Sequence, residues 1–595
     1  MSSWTRFLPF TDLAGYSAAD LRRDAVASAT LTFLAVPQGI AYAMIAGLPP
    51  VMGLYASTLP TIIGALFRSS RHVVTGPTNA LSLLVGTAGA AAAGLDPVPT
   101  VLLLSFLVGV IQVSMGALRL GVLVDYISLP VVMGYITGAG VLIGIGQLHH
   151  LTETQGGSGT LFEKVWAWSQ HLEGANGWAI GVGALTLIGI VALRRIDKRI
   201  PAPMAMLAVF TALSWALDGG ERYGLTRIAD LSPIPAGLPP LSLPGAAGPW
   251  GWSFEPAGPI LPIAIAVTVL SLVESSAVAR SISARSGQRL DISVEFVGQG
   301  LGNLCAAFCG GYPTSGSLSR SGLNHQIGAV SRVSGVLNGL MMAGVLLALG
   351  PVLNHTPIAS LAGLLFVVAY DLVDVERIEK LVKGRRSDAA AFFVTVLSTW
   401  VLRLDHAIYV GVGVSVFLFL RSSRLLTIHH LLFDDAGRPM ELRPGDPELR
   451  RQCSAVRLLQ VEGQLFFGAA GELANALDEA IADPDAKVVW VRVRRAFGMD
   501  ATVAQVLGAA ATRLRAEGRH LILVGVRQPA RGVLERTGTV EVLGEENVFF
   551  KTSTWLESSN RGLARALELV GEHDCEDCPI ETHLRNDHVS PAFVE

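Results

Sequence analysis

The sequence has 595 residues, 51% of them hydrophobic and only 16% charged, with a formal net charge of −3. Soluble domains carry about 25% charge, so one soluble fold of average composition is excluded, and so is a disordered or fibrous chain. Near-neutral charge gives no support for nucleic-acid binding, and 5 cysteines make no disulfide framework.

The charges are uneven. Residues 1–420 hold 46 of them, and the much shorter 421–595 hold 47. The first part predicts a membrane domain and the second a water-soluble one, with the boundary close to Arg421. Asp24 and Arg68 bracket 43 residues without a charge, and Val333 to Tyr370 has none. A helix needs roughly 20 apolar residues to cross a bilayer, and a mid-depth charge costs about 3 kcal/mol. Spans are expected near 25–45, 50–67, 76–92, 98–118, 122–146, 176–193, 203–217, 259–279, 292–309, 316–329, 333–350, 356–371, 388–402 and 405–420. Polar residues lead straight into the first, so no cleaved signal peptide is expected. The remaining divisions are 1–24 as an N-terminal segment, 25–424 as the transport domain, 425–450 as a linker, 451–570 as the soluble domain and 571–595 as a tail.

Basic residues give the orientation. Arg22 and Arg23, Arg68 and Arg71, Arg119, Arg194 to Arg199, Arg280 to Arg289, Arg377 to Arg386, and Arg421 with Arg424 fall on one side if spans alternate. The positive-inside rule makes that side cytoplasmic. Both termini are then expected in the cytoplasm, the 147–175 loop outside, and the chain in the cell (inner) membrane.

Two segments break the pattern, Thr75-Gly76-Pro77-Thr78-Asn79-Ala80 and Gly310-Gly311-Tyr312-Pro313-Thr314-Ser315-Gly316-Ser317-Leu318-Ser319-Arg320. Pro favours the first helical turn, and Ser, Thr and Asn favour the N-cap. Both predict helix N-termini inside the membrane, although Gly and Ser also let helices pack closely. An N-terminus offers free N–H groups and a positive dipole end, so two that meet form an anion site without a metal. Paired breaks in matching halves point to a transporter's midplane site. Arg320 adds a fork suited to an oxyanion. A structural ion pair is the other reading.

Glu274 follows an uncharged stretch of the eighth span. A carboxyl there can carry a proton, bind Na⁺ as a hard oxygen ligand, or neutralise Arg320. In the first span, Gln38 and Tyr42 stand four apart on one helix face. They can line the site or make interhelical hydrogen bonds.

These motifs resemble the SulP family of anion transporters. The resemblance rests on Pro37-Gln38-Gly39-Ile40-Ala41-Tyr42, Ala46-Gly47-Leu48-Pro49-Pro50 with Gly53-Leu54-Tyr55, Ser70-Arg71-His72 before Gly76-Pro77, and Ser317-Leu318-Ser319-Arg320-Ser321 with Asn324. It implies fourteen spans as two inverted seven-span repeats. A core domain (spans one to four and eight to eleven) would carry the substrate past a gate domain like an elevator, and the protein would be a homodimer. It also implies a substrate site of Gln38, Tyr42, Thr78, Asn79, Ala80, Ser317, Ser319 and Arg320, with Glu274 at the position tied to H⁺ or Na⁺ coupling. Some bacterial relatives carry Glu at the Gln38 position, so Gln removes that titrating group. Animal relatives often carry an aromatic residue where Thr78 stands, and the smaller Thr leaves room for a larger or more hydrated anion.

In the soluble part, residues 453–467 alternate like two strands, and further strands alternate with helices to Val524, which predicts an α/β layer. Met499-Asp500-Ala501-Thr502 resembles a STAS domain. The phosphorylated Ser of the related anti-sigma-factor antagonists is replaced by Ala501, which implies an assembly or regulatory role. Cys575, Cys578, His583 and His588 form a C-x₂-C-x₄-H-x₄-H pattern that can bind Zn²⁺, or a plain terminal tail. No other cofactor is expected. The chain has no Walker loop, nucleophile elbow or H-E-x-x-H, so an enzyme is not expected. The expected function is secondary transport of a small inorganic or carboxylate anion coupled to H⁺ or Na⁺. An uncoupled uniporter or channel, or a membrane sensor acting through the soluble domain, is the alternative.

Overall fold

Long apolar runs in lipid must satisfy their own backbone hydrogen bonds, which leaves the helix. The computed structural model describes residues 15–91, 95–157, 159–197, 200–434, 438–442, 453–554, 556–571 and 578–586. The chain divides into two units, Met1–Val416 and Phe417–Glu595.

The first unit opens with α1 (Ala18–Ile45), the broken pair α2 (Pro50–Tyr55) and α3 (Leu59–Phe67), the strand β1 (Thr75–Gly76) and α4 (Asn79–Ala91). Then come α5 (Pro97–Ala117), α6 (Leu129–Gly146), α7 (Gly177–Ile196) and α8 (Ala202–Ala216). The second half holds α9 (Ala257–Ser286), α10 (Ile292–Phe308), β2 (Ser315–Gly316), α11 (Leu318–Ile327), α12 (Val333–Leu353), α13 (Ile358–Asp371), α14 (Arg386–Val401) and α15 (Leu404–Ser423). Among the described residues, 9 helices are long and apolar enough to cross a membrane, with α2 and α3 counted as one. The shorter α4, α8, α10, α11 and α14 bring the segments to the fourteen expected from the sequence. The fifth begins at Leu129 rather than 122. Arg119 takes a left-handed φ of 57°, and Leu120–Tyr126 winds as a 3₁₀ turn before it.

Two packing groups result. In one, α10 packs on α5 and α3, α12 on α1 and α3, and α9 on α5 and α4. In the other, α14 packs on α6, α13 on α7 and α6, and α8 on α7. These are the core and gate sets implied by the resemblance. The Gly39 and Gly53 motifs have a packing reason: α1 and α2 meet backbone to backbone there. A Cβ on Gly53 would lie 1.9 Å from the Gly39 carbonyl oxygen.

The second unit contains one six-stranded sheet in the order β4-β3-β5-β6-β7-β8. Its strands are β3 (Thr427–Phe433), β4 (Pro439–Leu442), β5 (Val456–Gln464), β6 (Val488–Phe497), β7 (His520–Val526) and β8 (Val548–Phe550). The last four are parallel, and β3 runs antiparallel to both β4 and β5. The parallel strands carry apolar residues on both faces, as sheets covered on both sides must. Leu459, Val491 and Leu523 face α16 (Ala470–Ile481) and α17 (Ala501–Ala516). Leu458, Trp490 and Ile522 face α18 (Glu557–Val570).

Two expectations change here. Residues 453–467 hold one strand, not two, because the chain turns into a 3₁₀ segment at Phe467–Ala469. The missing strand lies upstream. Residues 425–450, expected as a linker, contain β3 and β4, whose buried Leu431, Leu432 and Phe433 join the sheet.

Gly53→Ala is expected to cost about 1–3 kcal/mol through overpacking. Thermal unfolding in detergent checks this, and an unchanged melting temperature would show that α1 and α2 separate freely.

Candidate functional site

The two breaks meet. β1 and β2 pair antiparallel, with Thr75 opposite Gly316 and Gly76 opposite Ser315. Each extended stretch carries its chain into the core, and α4 and α11 start just beyond the crossing. Ser317 caps α11, its hydroxyl accepting from the Arg320 amide at 3.4 Å. The amides of Asn79, Leu318 and Ser319 find no acceptor among the described residues. Leu318 and Ser319 are exposed, and Asn79 and Glu274 are half-buried. The two first turns therefore border open space within the core unit.

Side chains from three elements converge there. Thr78 donates to Glu274 Oε2 at 2.9 Å, and the Ser315 hydroxyl donates to the same oxygen. Thr78 Oγ1 and Ser315 Oγ lie 3.0 Å apart, so one carboxylate ties the two breaks together. Arg320 is 1% exposed. Its Nη2 donates to the Pro77 carbonyl at 2.8 Å, across the crossing. Its Nε has no partner among the described residues. A Cβ on Gly76 would sit 2.5 Å from the guanidinium, so only glycine lets Arg320 lie over the first break. Arg320 and Glu274 form no ion pair among the described residues, since each is held by other groups.

The remaining expected site residues divide. Ser317 and Ser319 lie together, with hydroxyls 3.3 Å apart. Tyr42 is within electrostatic reach of Arg320 and Glu274. Gln38 is buried one turn earlier on α1, and its Oε1 lacks a partner among the described residues. Asn79 bends its side chain back to accept from the Ala80 amide at 2.7 Å. Ala80 packs with Leu81 and Leu84 in the apolar core, so neither its methyl nor its amide is free for a ligand. The gate contributes Tyr135 of α6, buried in that same apolar cluster and within reach of the Glu274 charge.

A polar network behind the crossing was not anticipated. Glu295, Gln299 and Asn303 recur every four residues on α10. Arg68 and Glu295, both fully buried, pair at 3.5 Å. Arg68 Nη2 donates to Gln299 Oε1 at 3.0 Å, and Gln299 Nε2 donates to the Thr314 carbonyl at 2.8 Å. Asn303 holds the Thr314 amide at 2.8 Å and reaches Gln112 of α5. Asp24 accepts from the Val330 amide and the Ser331 hydroxyl at 2.7 and 2.6 Å, and Asn324 donates to the His72 carbonyl at 3.0 Å. The polar stripe at i, i+4 and i+8 in an otherwise apolar span is the sequence signal for the α10 part.

In the second unit Asp500 caps α17, accepting from the Val503 amide at 3.0 Å and the Phe467 amide at 2.6 Å. Ala501 beside it is exposed. His429, Glu441 and Glu462 come close enough to hold a metal, but Arg495 already bonds both carboxylates, at 3.1 and 2.6 Å. Glu462 is partly desolvated, yet hydrogen bonds from Arg495 and Gln460 hold its carboxyl below the usual range. Of the expected zinc ligands, Cys575 and His588 lie outside the described residues. Cys578 packs in the apolar core. The His583 ring lies 4.5 Å from Phe433, with Nε2 at 3.2 Å from Asn560 Oδ1.

The model of the sulfate permease family matches residues 21–395, and a STAS domain matches 447–554. The chain belongs to the sulfate permease family. YvdB of Bacillus subtilis (strain 168) is 27% identical over 548 residues, 90% of this chain and 97% of that one. The sodium-independent sulfate anion transporter of Bos taurus is 26% identical over 561 residues, 90% of this chain and 88% of the relative. In fold, the chain matches the murine Solute Carrier 26 family member A9 anion transporter, solved in the inward-facing state, with a TM-score of 0.84 and 19% identity over 94% of each chain. This family member is a multi-pass helical membrane protein with a STAS domain, and no enzyme.

Breaking a buried ion pair costs about 3–5 kcal/mol. Glu295→Gln should therefore lower thermal stability in detergent sharply, with little dependence on salt. A salt-sensitive or negligible loss would place the pair in water.

Proposed function

We propose that this chain is a secondary active transporter of a small oxyanion of the sulfate class, driven by protons through Glu274. The observation that carries this reading is the crossing at Gly76 and Ser315. It brings two helix N-termini and an Arg without a carboxylate partner to one opening in the core. Amides, the positive dipole ends and a buried guanidinium all favour negative charge there.

Protons fit Glu274 better than Na⁺. Thr78 and Ser315 donate to its carboxylate rather than offering it a cage of oxygens, whereas hard cations gather several oxygen ligands. The Bos taurus relative is sodium-independent by name. A protonated Glu274 removes a negative charge beside the anion and changes its bonds to both breaks.

The site is built from α1, α4, α9 and α11, all in the core set. A rigid shift of that set against α6–α8 and α13–α15 would carry the bound anion from one side to the other, the elevator form of alternating access. We place the protein as a homodimer in the cell (inner) membrane, with both termini cytoplasmic and the STAS domain in an assembly or regulatory role.

Arg320→Gln is expected to reduce sulfate uptake into proteoliposomes at least about a hundredfold, the scale of losing a charged hydrogen-bonding group. Normal uptake by this variant would remove Arg320 from the site. Glu274→Gln should leave uptake indifferent to an imposed proton gradient. A retained response would make Glu274 a structural bridge only.

A further inference from the structure

A cavity of about 250 Å³ lies between core and gate. It is far larger than the ~15 Å³ that one water needs. Met44 and Ile45 close one wall, Leu83 another, and residues 142–147 of α6 with its continuation the third. Leu83 is four residues past the start of α4, about 6 Å along the helix. The cavity therefore begins roughly one turn from the anion site.

Its polar lining is one-sided. His149, His150 and Lys164 face it, and among the described residues no Asp or Glu does. Lys164 is the charge that His149 feels, and His149 the one that His150 feels. The two imidazoles lie 3.9 Å apart. Burial pushes the Lys164 ammonium down, with no carboxylate among the described residues pulling it back. Two of the three acids of the same loop are committed elsewhere, and the third, Glu173, is exposed and outside the lining. Glu163 accepts from the Thr160 amide at 2.6 Å, and Glu153 accepts from Asn176 and the Thr226 amide at 2.7 and 2.6 Å. Gly156 allows the close approach over His149, since a Cβ there would lie 2.8 Å from the ring.

A partly buried ammonium with no counter-charge among the described residues is costly unless something neutralises it, and a neutral imidazole beside it can donate an N–H to the same anion. We propose that this cavity is a second anion-binding position, where Lys164 and His150 hold a small oxyanion or halide before it passes to the crossing. The proposal deepens the anion reading above and rests on it. Such a position concentrates substrate at the mouth of the pathway, as one-signed clefts do.

The test is equilibrium binding of radiolabelled sulfate, with chloride in parallel, to the purified full-length protein. Wild type, Arg320→Gln, Lys164→Gln/His150→Gln and the triple variant are compared, with Lys164→Arg as the charge-keeping control and melting temperatures as the check on folding. Arg320→Gln should keep a salt-sensitive site that the triple variant lacks and that Lys164→Arg preserves. In proteoliposomes, Lys164→Gln/His150→Gln should raise the half-saturating sulfate concentration from the cavity side about tenfold, with the maximal rate within about twofold. Wild-type binding lost entirely in Arg320→Gln overturns the second position and leaves the central one standing. Binding kept in Arg320→Gln but lost in Lys164→Gln/His150→Gln overturns the central one instead. Lys164→Arg behaving as Lys164→Gln overturns the proposal by showing packing rather than charge. Binding of neither anion to wild type overturns both.

Discussion

Two short extended segments crossing inside a helical domain are the constraint on which the rest depends. Backbone that leaves the helix at membrane depth must be satisfied by protein or line a cavity. Here β1 and β2 satisfy each other, and the helices that follow present their first turns to one opening. The same geometry that solves a hydrogen-bonding problem creates a place where negative charge is favourable. Glu274 and Arg320 then act as clasps across the crossing, one through two hydroxyls and the other through the Pro77 carbonyl.

The crossing does not stand alone. The polar stripe of α10 anchors the second break from behind, through Gln299 and Asn303 on Thr314. Arg68 and Glu295 continue this network toward the end of α3, where the chain turns into the first break. Buried polar groups in lipid are tolerated when every member finds a partner, and most of this set does. Both breaks, Glu274 and Arg320 are thereby fixed to one block of the core set. The gate, by contrast, meets the site with Tyr135 and apolar side chains.

Much of this was legible in the sequence because the signals are strong. Long charge-free runs mark helices, and Gly-Pro with following hydroxyls marks a helix start, so the fourteen segments and both breaks could be read. Glu274 and Arg320 stood out as isolated charges in apolar stretches. What the pattern could not supply was direction. Glu274 and Arg320 invited pairing with each other, but each found hydroxyls or a carbonyl nearer. The motif places Ala80 beside the site, whereas helical phase turns it into the core. The α10 stripe was visible as spacing but belonged to no motif. The β3 and β4 segment looked like a connection because two short edge strands flank a turn and carry little periodicity. Cys578 and His583 fit a metal pattern by spacing, yet tertiary packing gives them Ile580, Asn560 and Phe433 instead.

The most direct measurement is the position of a selenate ion in an experimental structure of the protein, located by its anomalous scattering. Density within hydrogen-bond distance of the Asn79, Leu318 and Ser319 amides, with Arg320 behind it and unpaired to Glu274, is the predicted result. An Arg320–Glu274 ion pair filling that opening, with selenate bound only elsewhere, would contradict it.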